Sequence, residues 1–386
     1  MPNNTSEYQV AANLIDYPFT RNLPRDYSDS KNGIWAGHTE VKDKILRTIN
    51  HVRADKYATN SMQFVFGDYG CGKTHALRWI LYYILHEKND EFDSAVYLMN
   101  KVVNQSKVDY KWAYENYILN GSNMINDLMD FTRWFNKNII TQHPDYTEVD
   151  KREVIESLFG GNHGMSGRIN ELMSLPNINS DNISDFLQVK NEDEAVANII
   201  LYLSLFTYKF DHEGLDYPRQ FKKAVYLMID ELDLTTELPT KEIVKNNLHI
   251  RRMTDEIGSC FSLILAATAT AAERDGMLEM YNITRLDDQT GISIPIMISE
   301  EAETFIKELL EAFRIDPNKK GKIGNFPFCD QFIDEFIEST PEISARIILS
   351  KLGLALRTGE IEDLDISKNL IDSKFILKHH PEFFDF

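Results

Sequence analysis

Gly67-Asp68-Tyr69-Gly70-Cys71-Gly72-Lys73-Thr74 has the form G-x-x-x-x-G-K-T. It follows the apolar run Met62-Gln63-Phe64-Val65-Phe66 and precedes the mostly apolar run Ala76 to Leu85, so the order reads strand, loop, helix. Glycines let the backbone curl until successive N–H groups face a phosphate, and the N-terminus of the following helix adds a favourable potential for an anion. In such a loop Lys73 reaches the β- and γ-phosphates of a nucleotide and Thr74 holds Mg²⁺. Gly67, Gly70, Cys71, Gly72, Lys73, Thr74 and His75 are therefore the expected nucleotide-binding set.

A second stretch agrees with the first. Ala224-Val225-Tyr226-Leu227-Met228-Ile229-Asp230-Glu231 is a continuous apolar run ending in two carboxylates. Such a run suits a parallel strand covered on both faces, and ligands of open α/β sheets collect at the carboxyl ends of strands. Asp230 is placed to support the Mg²⁺ shell, and Glu231 to polarise an attacking water. Phosphoryl transfer asks for positioning and charge compensation more than covalent chemistry.

Composition sets the bounds. A chain of 386 residues can bury a substantial core and divide into two or three domains. No segment approaches eighteen uninterrupted apolar residues, so no membrane span is expected. The N-terminus Met1-Pro2-Asn3-Asn4-Thr5-Ser6 lacks the basic and apolar regions of a secretory signal. Cys71, Cys260 and Cys329 are too widely spaced for a disulfide framework or metal knuckle, and a reducing cytoplasm fits best. Cys71 is either an oxidation-sensitive thiol or the occupant of a variable loop position, the simpler account. The net charge of −19 argues against a generic nucleic-acid binder. Any contact with nucleic acid is expected through assembly or through a partner.

Further along the chain, Asp93 to Asn100 and Ser262 to Thr268 read as strands, and Ile292 to Ile296 as a short edge strand able to accommodate Pro295. Thr39 and Ser299 are expected to cap helices, and Pro341 to start one. Residues 1–30 read as irregular apart from Val10 to Leu14. Between 105 and 215 the pattern is one of amphipathic helices, with 17 acidic against 9 basic residues, a net of −8. The glycine-rich stretch Leu158 to Arg168 is expected as a surface loop, or as a contact or pore loop in an oligomer. The tail carries Phe375, Ile376, Leu377, Phe383, Phe384 and Phe386, which either fold back on the helices or meet a partner.

The ordered set of motifs resembles an AAA+ ATPase of the initiator-type branch, which includes origin-recognition-like replication proteins and ATPase regulators of DNA transposition. The resemblance covers about 33–100 and 221–357. It implies an α/β fold: a P-loop NTPase core with a parallel sheet, a large helical insertion and a small C-terminal helical lid. The implied division is an N-terminal extension (1–32), the first part of the nucleotide-binding core (33–104), the insertion (105–215), the second part of the core (216–298), the lid (299–357) and a tail (358–386).

The resemblance also implies roles for single residues. Trp35 to Glu40 matches the segment that passes the nucleotide base. Asn100 matches a polar residue able to restrain the catalytic glutamate. Thr268, with Thr270 as the alternate, resembles a first sensor position. Arg285, in Tyr281-Asn282-Ile283-Thr284-Arg285-Leu286, resembles an arginine finger acting across a subunit boundary, where a guanidinium offers rigid phosphate recognition. Arg346, in Pro341-Glu342-Ile343-Ser344-Ala345-Arg346, resembles a second sensor.

The implied activity is hydrolysis of ATP to ADP and phosphate with Mg²⁺, by a homo-oligomeric switch in the form of a ring or filament. The alternative is a nucleotide-gated protein-interaction module with little intrinsic ATPase activity. A protein partner is expected through the insertion or the tail. Two departures bear on this. The interval from Lys73 to Asp230 is long for the family, and residues 358–386 are too few for the winged-helix module that commonly follows the lid. Residues 316–386, with 9 basic and 13 acidic residues, offer no basic substitute. Replication, transposition, defence and protein remodelling all stay open as the setting.

Overall fold

The computed structural model describes residues 5–20, 24, 26–54, 61–87, 93–142, 151–159, 162–211, 218–280 and 291–385. Five parallel strands form the central sheet: β1 (Ser61–Gly67), β2 (Ser94–Met99), β3 (Ala224–Ile229), β4 (Phe261–Thr268) and β5 (Gly291–Ser293). Their order across the sheet is β2-β3-β4-β1-β5. The strand before the glycine-rich loop Gly67–Thr74 and the strand leading to Asp230 are thus separated by β4, whose end carries Thr268. In register, Gly67 lies beside Thr268, and Met99 beside Ile229. All three loop-bearing strand ends therefore open at one edge of the sheet.

The continuous apolar strands are explained by cover on both faces. On one face, α1 (Thr39–Arg53) and α2 (Lys73–Tyr82, continued by a π turn Tyr83–Glu87) bury Ile45, Ile49, Leu77 and Ile80 against Val65, Val96, Met228 and Ile264. On the other face, Phe64, Tyr97, Leu227 and Leu263 belong to one large core with helices from residues 110–206. These are a short helix Tyr110–Ala113 with a π turn Tyr114–Leu119, then α3 (Met124–Asn138), α4 (Lys151–Leu158), α5 (His163–Met173), α6 (Ser180–Phe186) and α7 (Glu192–Phe206). Helix α8 (Thr240–Glu256) joins the same core through Ile250 and Met253, and α9 (Ala271–Met280) follows β4.

The C-terminal helices α10 (Ser299–Ala312), α11 (Asp330–Ser339), α12 (Ala345–Ile361) and α13 (Ser373–His379) enclose a separate apolar core. Ala12, Leu14 and Phe19 complete that core. Phe19, from the stretch expected as irregular, is therefore a structural part of it, beside Ala12 and Leu14 from the excepted run. The Ile15 N–H donates to the Phe313 carbonyl at 2.8 Å, and a Cβ on Gly353 would lie only 2.3 Å from the Phe19 carbonyl oxygen. Phe383 also folds back, 5.7 Å from Phe332 and 6.3 Å from Phe336 between ring centroids.

Four local expectations change. Thr39 is the first residue of α1 and not its cap, because Gly37 and His38 turn the chain at φ +64° and +44°. Ser299 likewise lies inside α10, where the Glu301 carboxylate accepts the Ile298 N–H at 3.2 Å. Pro341 does not start α12, because Met297 donates its N–H to the Ile343 carbonyl at 2.9 Å and holds that segment extended. Ser344 caps the helix instead. In the glycine-rich stretch, residues from His163 onward are helix α5, with the Asn162 side chain accepting the Met165 N–H at 3.1 Å. Gly160 and Gly161 lie outside the described residues.

Candidate nucleotide site

The loop from Gly67 to Thr74 closes over the end of β1 and leads into α2. Gly70 and Gly72 take φ of +86° and +112°, which a side-chain-bearing residue adopts only with strain. Gly70 also faces the C-terminal helices closely, since a Cβ there would lie 2.8 Å from Cβ of Arg346. A Cβ on Gly72 would meet no protein atom within 4 Å, so its need for glycine is purely conformational. Gly72 is the cap of α2, whose first-turn N–H groups have no partner inside the helix. That end of the helix favours an anion.

Lys73 is buried, and its ammonium donates to the carbonyls of Gly67 and Asp68 at 2.8 and 2.9 Å. These bonds use two of its three protons. His75, directly behind, is half-buried with Nε2 2.7 Å from the Ile34 carbonyl oxygen. Burial pushes its pKa down, aided by Arg78 and opposed by the Ile34 carbonyl. Cys71 is buried as well, and burial pushes its thiol up, against the pull of Lys73. That environment disfavours the thiolate and with it the oxidation-sensitive reading.

Across the opening, Asp230 is only 3% exposed and accepts hydrogen bonds from the Thr74 hydroxyl and, at 2.9 Å, from the Glu231 N–H. Burial raises the Asp230 pKa, and Asp233 adds to the rise; Thr74, the Glu231 N–H and Lys73 oppose it. Glu231 sits in left-handed backbone, φ +51°. Its pKa is raised by burial and by Asp230 and Asp233, against the pull of Lys101. A carboxylate raised in this way is a better proton acceptor than a solvated one. Thr74 and Asp230 supply hard oxygen donors side by side, the donor set that fits Mg²⁺ bound through one or two protein oxygens plus water.

Thr268 lines the same cavity, and its N–H donates to Asp233 at 2.8 Å. Thr270 instead bonds Glu273 at the start of α9, through its N–H at 3.0 Å and its hydroxyl at 2.9 Å. Arg346 reaches the loop from α12: its N–H donates to the Gly70 carbonyl at 3.1 Å, and its guanidinium lies 3.8 Å from the ring centre of Tyr69. Asn100 does not line the cavity; its amide donates to the hydroxyl of Tyr27 at 3.0 Å. Arg285 lies outside the described residues.

The cavity has a volume of about 580 Å³. Its polar lining includes Gly70 to His75 with Asp230 and Glu231. Its apolar lining includes Trp35 and Ala36 with Met297, Phe305 and Leu309, side chains suited to a flat base. Pro18, Thr20, Pro24 and Lys31 form a further wall that sequence reasoning missed. No local motif marks them; they are brought in by the packing of residues 12–19 on the C-terminal helices and by Arg78 donating to the Pro24 carbonyl at 2.7 Å. Among the described residues, no helix is long and apolar enough to cross a membrane.

No protein-family model matches the chain, and no curated protein does. Solved structures do. The chain is similar to one in the structure of Drosophila ORC bound to DNA, at 11% identity and a TM-score of 0.48, covering 98% of this chain and 66% of that one. It is also similar to the Aeropyrum pernix ORC2 protein, at 12% identity and a TM-score of 0.46, with coverage of 96% and 72%. Cdc6p from Pyrobaculum aerophilum gives 11% identity, a TM-score of 0.48 and the same coverage. Likeness at this level transfers no residue role or activity, so the functional reading rests on the chain's own strand order and site.

Proposed function

We propose that this chain is an AAA+ ATPase of the initiator type, a molecular switch that binds ATP with Mg²⁺ and hydrolyses it to ADP and phosphate. One observation carries the reading. A single cavity is lined by Lys73 and Thr74 from the phosphate loop, Asp230 and Glu231 from β3, Thr268 from β4, and Arg346 from the C-terminal helices.

In this reading the first turn of α2 and the third proton of Lys73 bind phosphate oxygens. Thr74 and Asp230 would hold Mg²⁺, which when bound would supply charge compensation to the phosphates. Glu231 accepts a proton from the attacking water, and Thr268 orients that water. Arg346 couples phosphate occupancy to the position of the C-terminal helices. Arg285 is assigned to a neighbouring subunit's site, which makes the active form a homo-oligomer. A cytoplasmic setting rests on the cysteine usage, and a DNA-transaction, mobile-element or defence complex on the family resemblance alone. Nucleic acid is met through the assembly or a partner, in line with the net charge of −19.

The test is phosphate release and ATP binding measured together. Glu231→Gln is expected to bind ATP normally and to lose steady-state phosphate release, while Lys73→Ala loses binding. Turnover unchanged in Glu231→Gln removes the assigned base. ATP binding by an unsubstituted chain that releases no phosphate favours the alternative, a nucleotide-gated interaction module. For action in trans, inactive Arg285→Ala and Glu231→Gln chains are mixed, because one mixed interface pairs an intact Arg285 with an intact Glu231. Co-assembly without recovered turnover argues against it.

A further inference from the structure

The side chain of Arg346 lies along the phosphate loop. A Cβ added to Gly70 would meet its Cβ, Cδ and Nε at 2.8, 3.4 and 3.4 Å, and its guanidinium carbon lies 3.8 Å from the ring centre of Tyr69. The Arg346 N–H also donates to the Gly70 carbonyl at 3.1 Å. Two consecutive loop residues thus receive one arginine. Gly70 leaves room for its stem, and Tyr69 offers a ring to its head.

Packing does not explain Tyr69. It is 71% exposed, whereas Cys71 and Lys73 of the same loop are buried. Its ring is therefore a large apolar surface kept in water, engaged with the cation above it. What that contact leaves free decides its use. A guanidinium is planar, and its five N–H groups lie in the plane, so a ring against the face consumes none of them. A carboxylate would instead take up the N–H edge. Among the described residues, no carboxylate pairs with Arg346. Tyr69 and Arg346 both line the cavity that holds Lys73 and Thr74.

We propose that Tyr69 is a positioning residue: its ring holds the Arg346 guanidinium by the face, leaving the N–H edge to bind the terminal phosphate, and so favours a nucleoside triphosphate over a diphosphate. A long side chain held in place before the ligand arrives loses less rotamer freedom on binding. Gly70 is needed for the same arrangement, since any side chain there would displace the arginine stem. This rests on the nucleotide-binding part of the reading above and not on hydrolysis.

The test measures the affinity of the full chain for ADP and for β,γ-imido-ATP by titration calorimetry, in Tyr69→Phe, Tyr69→Leu, Arg346→Ala and Tyr69→Leu with Arg346→Ala. Thermal unfolding without nucleotide is followed alongside, and the exposure of Tyr69 leaves it unchanged. Tyr69→Leu is expected to weaken the triphosphate analogue about two- to fivefold, the scale of an exposed cation–π contact, with ADP affinity unchanged. Tyr69→Phe keeps the ring and both affinities. With Arg346→Ala already present, Tyr69→Leu has no further effect. An equal loss for both nucleotides, no loss, or the same loss without Arg346 overturns the proposal. So does a gain in triphosphate affinity, which would make the ring a competitor of the phosphate. A loss in Tyr69→Phe equal to that in Tyr69→Leu also overturns it, because the hydroxyl would then be the acting group. Failure of the underlying reading is separate. An unsubstituted chain that binds neither nucleotide, or Lys73→Ala binding both as tightly as the unsubstituted chain, overturns that reading and this proposal with it. Binding that depends on Lys73 and ignores Tyr69 overturns this proposal alone.

Discussion

The helices between residues 110 and 206 share one apolar core with the sheet, whereas those between 299 and 379 close a core of their own with residues 8–19. Tyr114, Phe131 and Leu203 belong to the same buried cluster as Phe64, Tyr97 and Leu227 of the strands. That part of the chain, long as it is, forms the second cover of the sheet. Removing residues 105–215 would expose a face built of apolar side chains, so a deletion cannot test their role in partner choice. The C-terminal helices line the cavity with Arg346, Phe305 and Leu309, and residues of the N-terminal segment complete their core. A body with its own core can shift against the sheet without breaking that core. The difference is therefore one of cores: one helical region shares that of the sheet and the other has its own.

The largest effects come from matched aromatic truncations in the two cores. Phe131 stacks on Phe135 at 5.4 Å and meets Phe221 at 5.5 Å, and Phe332 lies 5.7 Å from both Phe328 and Phe383. Each alanine substitution should cost about 3–5 kcal/mol. Phe131→Ala should lower the stability of the sheet and of ATP binding together in one thermal transition. Phe332→Ala should raise hydrogen exchange in residues 299–379 well before the strands exchange. Identical exchange patterns in the two variants would break the comparison.

A buried polar tie between sheet and helix gives a smaller effect. The Tyr97 hydroxyl donates to Asp127 of α3 at 2.6 Å, and burial raises the pKa of both groups. Tyr97→Phe leaves a buried carboxyl without that donor and should cost about 1–3 kcal/mol in denaturant unfolding. Asp127→Asn keeps an acceptor and removes the charge, so it should be milder; a larger loss from Asp127→Asn would contradict this account.

The N-terminal strap is next. The Asn13 side chain donates to the Asp316 carbonyl at 2.8 Å and accepts from the Asp316 N–H at 3.1 Å, from a residue at φ +58°. Asn13→Gly keeps that backbone accessible and removes the bonds, at about 1 kcal/mol for each. The loss should show as faster hydrogen exchange near residues 313–322, with the strands unaffected. Spread of the effect to β1 or β3 would mean that the two bodies are less independent than their cores indicate.

The smallest effect is a pH dependence confined to the shared core. Burial would raise the Glu192 pKa, but hydrogen bonds from His249, Lys245 and the Tyr110 N–H hold it below the usual carboxylate range. Lys245 Nζ lies 2.5 Å and His249 Nε2 3.3 Å from its oxygens. A carboxyl depressed on folding contributes stability above its unfolded pKa, and that contribution is lost as pH falls through the folded value. Acid unfolding of the sheet should therefore begin at lower stability in Glu192→Gln, with a shallower pH slope. An unchanged slope would show that this cluster does not tie α7 to α8.

The conformations of 61–82 and of the strand up to Ile229 were readable locally. An apolar run, glycines at forced backbone angles and a helix-forming run are properties of neighbouring residues, and burial on both faces of a parallel strand leaves a continuous apolar stretch in the sequence itself. Helix starts were less legible. Thr39, Ser299 and Pro341 carried ordinary start signals, yet the boundaries were set by a left-handed turn, a returning carboxylate and a pairing between Met297 and Ile343.

What only the tertiary structure decided is who meets whom. Amphipathic patterning announces that Phe131 or Phe332 has a buried side, but the hydrophobic effect is non-directional and names no partner. So the sequence could not say that one helical region would share the core of the sheet and the other would not. The same holds for the site. Asn100 reaches Tyr27 across 73 residues, Gly70 receives the N–H of Arg346, and Phe19 fits against Gly353, where no side chain would leave room. Each is a single contact between segments remote in the chain, without period or spacing to betray it. Such contacts exist only once the topology has brought their backbones together.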